Sequence, residues 1–598
     1  MFNQDEKPHT HRGGQRPNIV FILTDDQDLH MRSLDYMPFV KKHLIERGTS
    51  YRKHFCTTAL CCPSRVTLWT GKAAHNTNVT DVLPPYGGYP KFIAQGLNHN
   101  YLPVWFQEAG YGTYYAGKLF NAHSVDTYNA PFAAGWTGSD FLLDPFTYWY
   151  MNSTYQRNRD PPKSYEGRHS VDVLAEKALG FIDEAYGESS RTKGGGKPFF
   201  LGIAPVAPHA NIWSPAFKHG NHSNLTEVEF SPPVPASRHA HLFSQARVPR
   251  TENFNPDRAS GGSWIRSLAR QGDENVAYND HFYVQRLRTL QSVDELVDGV
   301  VRRLDALGLL DDTYIIYTSD NGYHIGQHRL QPGKQCSFDE DVNIPLVIRG
   351  PDVPVNHTTD IVTTHTDMAP TLLGIAGATL RDDFDGLAIP LTALDLEDAK
   401  KQRHEHVAVE HWGFASNEGV VYDWYPRLHY NNTYKALRIL GEDYNMHYQV
   451  WCNNERELYD LISDPGQMIN LMHPDEQKRL RHMKDTRQSS SELTVMGLPL
   501  EKVVQRLESV LFVLKSCRAE SCVDPWRQIH PAGNVASLKE ALSPRFDAFY
   551  DKRNEKTEFD RCEMGYILDA EGPQFSLPTP LGEDATAWKV RRDWHEWT

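Results

Sequence analysis

A short segment near residue 60 combines residue types that can do chemistry together. Residues 60–71 read LCCPSRVTLWTG, so that Cys61, Pro63 and Arg65 lie close along the chain. Pro63 fixes one backbone angle, and Arg65 places a permanent, forked cation about one helical turn after Cys61. That cation can hold a tetrahedral oxyanion beside whatever Cys61 becomes. A buried cysteine before a proline-started helix fits the same residues, so other parts of the chain must decide.

A pair of carboxylates follows the first apolar run of the chain. Residues 18–23 read NIVFIL, which predicts a buried parallel strand, and Asp25 and Asp26 come directly after it. Ligands of open α/β sheets bind at the carboxyl ends of strands. Adjacent carboxylates repel each other and a divalent cation relieves that repulsion, although aspartate is also common in turns.

Three further predicted strands end in polar residues. The strands cover residues 111–116, 198–204 and 313–319. Two helices, over residues 39–47 and 102–110, are predicted before the first of them. Each polar group alone is compatible with a solvated loop, but the carboxyl ends of parallel strands share one edge of a sheet. The sequence therefore predicts that Cys61 and Arg65 meet the residues after these strands, namely Lys118, His209, Asp320 and Asn321.

The remaining elements indicate an α/β protein with two domains. Apolar residues from Leu287 to Leu307 recur at helical spacing, and residues 345–348 predict another strand. Residues 194–196 form a glycine link, and residues 211–280 lack periodicity and predict a long loop-like insertion. Alternating strands and helices predict a mostly parallel sheet with helices on both faces.

The pattern changes beyond residue 404. Residues 406–410, 434–439 and 448–451 predict antiparallel strands, residues 457–461 precede a turn, and residues 503–514 predict a helix. We therefore divide the chain into a polar tail (1–16), a catalytic domain (17–403) and a smaller α+β domain with an antiparallel sheet (404–598). No internal repeat is found.

Composition and charge exclude several partners. The chain has 598 residues and a net charge of −14 with both signs interspersed, which disfavours nucleic acid. No apolar run approaches the roughly 20 residues of a membrane-spanning helix. The polar start, MFNQDEK, is not a signal peptide, and it fits a mature or trimmed N-terminus.

Two features favour a secreted or lysosome-like glycoprotein. Six N-x-[ST] sequons are present, at Asn78, Asn152, Asn221, Asn224, Asn356 and Asn431. Cys517 and Cys522 bracket four residues and are spaced for a local disulfide, which suits an oxidising compartment. Reduced, buried thiols are compatible with the other six cysteines.

The motif Cys61-x-Pro63-Ser64-Arg65, with Thr70-Gly71 after it, resembles the signature of the type I, formylglycine-dependent sulfatases, and the resemblance extends over nearly the whole chain. It implies an alkaline-phosphatase-like α/β sandwich. It also implies that a formylglycine-generating enzyme oxidises Cys61 to formylglycine, whose hydrated aldehyde attacks sulfur in line.

The same resemblance assigns roles to the polar groups at the strand ends. The implied metal is calcium, to which hard oxygen ligands are better suited than to magnesium. Its ligands would be Asp25, Asp26, Asp320, Asn321 and an oxygen of modified Cys61. The implied contacts to the sulfate ester are Arg65, Lys118, His209 and Lys334.

One departure from the family pattern concerns a proton acceptor. Many sulfatases have Gly-Lys-x-His, whereas Phe120 stands here in the place of the histidine. The group that takes the second proton of the nucleophile is left open between Asn121, His123 and His75. The Gly-Lys-x-x-Asn form, the double cysteine and residues 292–297 resemble the glucosamine-6-sulfatase branch, and fungal arylsulfatases are similar too.

We expect a sulfatase that acts on aryl sulfate esters. A sulfated-sugar sulfatase and a phosphonate monoester or phosphodiester hydrolase of the same superfamily are the alternatives within enzymes, and a catalytically silent binding protein is the alternative outside them. Residues 146–150 and Trp213 are rich in aromatic rings that fit an aryl pocket, a sugar platform or core packing.

Overall fold

A computed structural model describes residues 16–191, 196–213, 229–422, 427–485 and 493–575. Nearly all of the polar tail, the sequons at Asn221 and Asn224, and the first two glycines of the predicted link lie outside the described residues. No helix within those ranges is long and apolar enough to cross a membrane.

The strands of the described residues are numbered in chain order. They are β1 Asn18–Thr24, β2 Thr49–Tyr51, β3 His54–Phe55, β4 Gly112–Lys118, β5 Gly138–Leu142, β6 Thr154–Arg157, β7 Lys163–Ser164, β8 Phe199–Ala204, β9 Asn211–Trp213, β10 Glu229–Ser231, β11 Thr313–Ser319, β12 Leu346–Arg349, β13 His357–Thr359, β14 Thr363–Thr364, β15 His406–His411, β16 Ala415–Ser416, β17 Leu428–His429, β18 Tyr434–Leu440, β19 Asn445–Trp451, β20 Arg456–Asp460, β21 Thr494–Val495 and β22 Leu498–Pro499.

The α-helices of the same residues are α1 Pro38–His43, α2 Cys61–Thr70, α3 Ala74–Thr77, α4 Gly88–Ala94, α5 Leu102–Glu108, α6 Ser170–Arg191, α7 Asp273–Ala306, α8 Asp339–Val342, α9 Met368–Ile375, α10 Ala393–Gln402, α11 Pro474–Asp485, α12 Leu500–Leu514, α13 Glu520–Val523, α14 Pro525–Ile529, α15 Leu538–Ala541 and α16 Asp547–Tyr550. Short 3₁₀ turns occur at Ser33–Tyr36, Ile45–Arg47, Leu97–His99, Ser237–His239, Ile265–Ser267, Leu310–Asp312, His365–Asp367, Pro544–Phe546 and Leu568–Ala570.

Ten strands form one large mixed sheet in the order β13-β2-β12-β11-β1-β8-β4-β5-β6-β7. Its centre is parallel, since β11, β1, β8, β4 and β5 pair in parallel with their neighbours in this series. Strand β12, predicted from the sequence, pairs antiparallel with β11. The prediction of a large, mostly parallel sheet is confirmed.

The sheet is covered on both faces because its central strands are apolar on both sides. In β1, Phe21 packs into a core cluster with Trp69 of α2 and Phe106 of α5. The alternate residue Ile22 belongs to the opposite cluster, which α6 and α7 line. Successive side chains of the strand therefore pack into two separate cores on opposite faces of the sheet.

The C-terminal part contains a four-stranded antiparallel sheet in the order β15-β18-β19-β20. One face packs on α12 through residues such as Leu437 and Leu507. The other face contributes Trp451 to a cluster that includes Phe55 and Phe338 of the larger part. The predicted antiparallel sheet is confirmed, and the domain boundary at residues 403/404 stays a prediction.

Two disulfides lie in this C-terminal part. Cys517 is bonded to Cys522, as the spacing predicts, and Cys452 is bonded to Cys562. Cys56, Cys61, Cys62 and Cys336 are buried free thiols.

Two element predictions differ from the structure, and one helix of the structure has no counterpart among the predictions. The helix predicted over 39–47 ends at His43 and continues as a 3₁₀ turn after Leu44, whose φ of −114° leaves the regular helix. Helix α7 begins at Asp273, inside the segment predicted as loop, because its first two turns are polar and show no apolar period. Helix α6 was not predicted.

Candidate active site

The carboxyl ends of four adjacent strands carry the predicted site residues. Strand β1 lies next to β11 with Thr24 opposite Ser319, so the residues that follow, Asp25 and Asp320, emerge side by side. Strands β8 and β4 continue the series, and Lys118 is the last residue of β4. The loop after β8 returns along Asp25, since Pro208 forms a bridge with it. All predicted site residues are buried in the structure.

Helix α2 presents Cys61 in its first turn. Leu60 is extended and precedes the helix, and Gly71 ends it in a left-handed conformation with φ of 66°. The Cys61 Sγ atom lies 3.3 Å from Asp25 Oδ1 and 3.9 Å from Asp26 Oδ1. Burial, and then the charge of Asp25, raise the pKa of the Cys61 thiol well above its usual value. The unmodified residue is therefore a neutral thiol, not a nucleophilic thiolate.

Arg65 lies one turn further along α2 and is hydrogen-bonded to residues at the ends of β11 and β4. Its Nε donates to Asp320 Oδ2 at 2.7 Å, and its Nη1 donates to the Lys118 carbonyl oxygen at 2.6 Å. Its Nη2 lies 3.4 Å from Asp25 Oδ2 and has no hydrogen-bond partner among the described residues. A permanently charged guanidinium is thus fixed, with the N–H groups of Nη2 not hydrogen-bonded within the described residues.

Two lysines are paired with the two adjacent carboxylates. Lys118 Nζ lies 2.5 Å from Asp25 Oδ2, and Lys334 Nζ lies 2.7 Å from Asp26 Oδ2. Burial lowers the pKa of each lysine, but the neighbouring carboxylates outweigh it and raise the pKa above the usual value. For Asp25, burial raises the pKa, and Lys118 and Arg65 reverse this and lower it. Both lysines therefore keep their charge.

His209 is held in one orientation. Its Nδ1 lies 2.8 Å from the Ala210 carbonyl oxygen, to which it donates, and the Tyr150 hydroxyl donates to the His209 carbonyl. Its Nε2 lies 3.5 Å from Asp26 Oδ2. Burial, and then the charge of Lys334, lower the pKa of His209 to about 4. A neutral ring that donates through Nδ1 presents Nε2 to the site as an acceptor.

Backbone geometry gathers the oxygen ligands. Asp26 adopts a left-handed φ of 67°, and its N–H donates to Asp320 Oδ1 at 3.0 Å. The Asn321 Nδ2 donates to Asp26 Oδ1 at 2.8 Å, while Asn321 Oδ1 is buried without a hydrogen-bond partner in the described chain. Ligand atoms of Asp25, Asp26, Cys61 and His209 lie within 4.8 Å of one another. Within this group the carboxylates of Asp25 and Asp26 are the hard oxygen donors, beside the Cys61 Sγ and a His209 nitrogen.

Glu418 belongs to the site, although it was not predicted. Its Oε1 lies 2.8 Å from Lys334 Nζ and 3.9 Å from His209 Nε2, and Tyr323 donates to its other oxygen. It comes from the loop between β16 and β17, beyond the boundary predicted for the catalytic domain. A single glutamate in an aperiodic loop carries no motif, so the sequence gives no sign of this contact.

The three candidate proton acceptors have different surroundings in the structure. The His75 ring is engaged by Glu410 and by the Cys517 carbonyl oxygen. His123 is fully buried beside Tyr89, with neither ring nitrogen hydrogen-bonded among the described residues, and burial lowers its pKa to about 3. Asn121 contacts Tyr148, which lies against His209. Of the three, only Asn121 is thereby connected to the site.

Comparisons with known proteins agree with this geometry. The family model described as Sulfatase matches residues 17–378, and one described as N-sulphoglucosamine sulphohydrolase, C-terminal, matches residues 326–492. An arylsulfatase of Volvox carteri is 40% identical over 564 residues, covering 90% of this chain and 80% of the relative. The N-acetylglucosamine-6-sulfatase of Homo sapiens is 31% identical over 491 residues, covering 77% and 81%.

A solved structure described as a complex with its substrate D-glucosamine-2-N,6-O-disulfate is similar in fold. The TM-score is 0.59 at 21% identity, and the match covers 79% of this chain and 98% of that one. The Sulfatase match contains every site residue predicted from the sequence, from Asp25 to Lys334. The chain therefore belongs to the sulfatase family, with its alkaline-phosphatase-like fold, and is an enzyme that hydrolyses sulfate esters.

Proposed function

We propose that this sulfatase acts on aryl sulfate esters, with Cys61 converted to formylglycine and a calcium ion beside it. The observation that carries the proposal is the position of Cys61, 3.3 Å from Asp25 and at the meeting point of four strand ends. The 40% identity with an arylsulfatase supports the substrate class. An aryl leaving group also needs little stabilisation by the pocket, because a phenolate is a stable anion.

The donor set fits a hard divalent cation. Asn321 Oδ1 is a buried oxygen without a hydrogen-bond partner in the described residues, and Asn321 donates from its backbone N–H to Asp320 Oδ1 and from Nδ2 to Asp26 Oδ1. Asn321 and the carboxylates of Asp25, Asp26 and Asp320 would hold calcium, together with an oxygen of modified residue 61. When bound, calcium and formylglycine supply charge stabilisation and a hydrated aldehyde as nucleophile.

The cations of the chain have two tasks in this proposal. Lys118, Lys334 and the free Nη2 of Arg65 bind the sulfuryl oxygens, where charge develops in the transition state. They are fixed before the substrate arrives, so little reorganisation is needed. Lys334 also holds a proton at neutral pH, whereas His209 does not, since its pKa is about 4. Lys334 can therefore donate a hydrogen bond to the leaving oxygen, and His209 Nε2 accepts a hydrogen bond.

A sulfated sugar is the second candidate substrate. The human relative with 31% identity is an N-acetylglucosamine-6-sulfatase, and the structural neighbour is described with a disulfated glucosamine. A matched test compares 4-nitrophenyl sulfate with N-acetylglucosamine-6-sulfate. The aryl proposal expects the higher kcat/KM for the phenyl ester, and a large preference for the sugar would replace it.

The first test of the proposal is substitution of Cys61. We expect Cys61→Ala and Cys61→Ser to abolish multiple turnover of 4-nitrophenyl sulfate, because neither carries an aldehyde that can be regenerated. Bis(4-nitrophenyl) phosphate, assayed in parallel, measures the phosphodiesterase alternative. Cys62→Ala is the matched control, since Cys62 packs in the core behind the motif. Near-native turnover by Cys61→Ala would refute the assignment.

We further propose that the protein is a secreted or lysosome-like glycoprotein that a formylglycine-generating enzyme matures. Two disulfides support an oxidising compartment. The sequon residues Asn356 and Asn431 are exposed, as an acceptor for a glycan must be. Digestion with an endoglycosidase should reduce the apparent mass of the protein from its native source.

A further inference from the structure

The position that holds a histidine in many sulfatases is filled differently here. The Phe120 ring faces the core, 1% exposed, and packs on Phe92 with ring centroids 4.6 Å apart. The next residue, Asn121, instead donates from Nδ2 to the Tyr148 hydroxyl at 2.7 Å. The amide of Asn121, three residues after Lys118 in the chain, is therefore hydrogen-bonded to the phenol of Tyr148.

Tyr148 touches two residues that are proposed to hold the sulfate ester. Its ring lies against the His209 imidazole, with centroids 4.1 Å apart and an interplanar angle of 31°. The Lys118 Nζ atom lies 4.8 Å from the centroid of the same ring. The contact with the ring limits the orientations open to His209, and the cation–π contact helps to fix the lysine.

Hydrogen bonds to the backbone join the segments that contain Tyr148 and His209. The Ile212 N–H donates to the Tyr148 carbonyl oxygen at 3.2 Å, and the Tyr150 hydroxyl donates to the His209 carbonyl oxygen at 2.8 Å. The segments around both residues are therefore joined by two hydrogen bonds from opposite directions. Tyr148 itself is only 7% exposed, so its position is determined by packing.

The Tyr148 hydroxyl is able to donate a hydrogen bond. It accepts a hydrogen bond from Asn121, and within the described residues it has no hydrogen-bond acceptor for its own proton. Burial raises the pKa of Tyr148 well above its usual value. The phenol is therefore a neutral donor and not a base. An anionic sulfate oxygen next to Lys118 is the acceptor that such a donor fits.

We propose that Tyr148, oriented by Asn121, contacts the sulfate group of the bound ester through its hydroxyl and holds His209 in place with its ring. Asn121 is then a positioning residue that acts through Tyr148. This inference rests on the proposed sulfatase mechanism and adds a substrate contact to it.

The first test separates the hydroxyl from the ring. Tyr148→Phe keeps the ring and removes the donor, and we expect kcat/KM for 4-nitrophenyl sulfate to fall about 10- to 100-fold. The control is Tyr155→Phe, which removes another buried hydroxyl, one that lies 3.4 Å from the Ser170 carbonyl oxygen. We expect that control to stay within about twofold of wild type. Circular dichroism and the melting temperature verify that both variants are folded.

The second test asks whether Asn121 acts through Tyr148. If it does, Asn121→Ala combined with Tyr148→Phe loses no more activity than Tyr148→Phe alone. Tyr148→Leu removes the ring as well, and we expect it to raise the inhibition constant for inorganic sulfate beyond that of Tyr148→Phe, because Lys118 and His209 lose the ring that orients them. A merely structural tyrosine would not produce this difference.

The outcomes separate this proposal from the one on which it rests. Failure of the proposed function would appear as an inactive wild-type enzyme with formylglycine installed. Failure of the present inference would appear in an active wild-type enzyme, either as a Tyr148→Phe variant within twofold of it or as multiplicative effects of Asn121→Ala and Tyr148→Phe. Either of those two results would overturn the role of the pair.

Discussion

At the scale of residues, the active centre consists of buried charges that are paired with one another. Four carboxylates and three cations meet there, and their formal charges sum to −1. A divalent cation would bring that sum to +1, which suits an anionic ester. Buried charges are costly unless each has a partner, so removal of one member leaves another uncompensated. The residues involved are Asp25, Asp26, Asp320, Glu418, Arg65, Lys118 and Lys334.

Calcium binding should be measurable apart from activity. We expect calcium added to chelator-treated protein to raise the melting temperature, because a ligand at about 100 times its Kd stabilises the fold by about 2.7 kcal/mol. Magnesium should stabilise less. Asn321→Ala removes one oxygen ligand without a change of charge and should abolish most of the shift, whereas Asp360→Asn, which alters a surface pair with Arg52, should not. An unchanged calcium response in Asn321→Ala would contradict the ligand assignment.

The site was partly predictable at this scale. Asp25, Lys118 and Asp320 could be found because each lies at the carboxyl end of a strand that is apolar enough to recognise. The contacts of Glu418 and Tyr148 could not, because they arise from irregular loops that tertiary packing brings to the strand ends. His123 is one of three candidate proton acceptors in the sequence, and its burial beside aromatic rings could not be inferred from the sequence.

At the scale of elements, the close pairing of β4 with β8 positions Lys118. Gly117, the residue before it, has φ of 110°, and a Cβ there would lie 2.1 Å from the Ala204 carbonyl oxygen of β8. Only glycine adopts this backbone without strain and permits the approach. Strand bounds near the site were predictable because buried parallel strands are continuously apolar. The start of α7 was not, because its first turns are polar.

Gly117→Ala should therefore act on both fold and activity. We expect a loss of about 2–4 kcal/mol in the free energy of unfolding, since a left-handed alanine and a backbone clash are imposed together. The displaced Lys118 should also lower kcat/KM. Gly96→Ala is a matched control, with φ of 72° but no atom within 4 Å of the new Cβ. It should cost about 1 kcal/mol and leave turnover intact. Equal effects of the two substitutions would show that the approach to β8 is unimportant.

At the scale of the whole molecule, the C-terminal sheet packs on the larger part through an apolar cluster and through Arg438 of β18, whose Nε lies 2.7 Å from Asp339 Oδ1 of α8. The sheet also contains a buried carboxyl group. Glu457 of β20 accepts hydrogen bonds from Trp451 Nε1 and from the Tyr459 hydroxyl. Burial raises the pKa of Glu457 to about 7, although those hydrogen bonds oppose the shift. The loop that contains Glu418 belongs to the same C-terminal part, which therefore contributes a residue to the active site.

The raised pKa of Glu457 predicts a pH dependence of stability. Between about pH 4.5 and pH 7 the unfolded chain loses this proton and the folded chain keeps it, so the free energy of unfolding decreases as pH rises. The contribution is of the order of 3 kcal/mol. Glu457→Gln should flatten this part of the profile, measured by urea unfolding, and the exposed Glu501→Gln should not. A parallel profile for Glu457→Gln and wild type would contradict the assignment.

The central claim is that Cys61 is the precursor of the nucleophile. Mass spectrometry of the peptide that contains residue 61, from protein coexpressed with a formylglycine-generating enzyme, tests it most directly. We predict a loss of about 18 Da relative to the cysteine peptide, with Cys62 unchanged. A fully unmodified Cys61 in protein that hydrolyses 4-nitrophenyl sulfate would contradict the account.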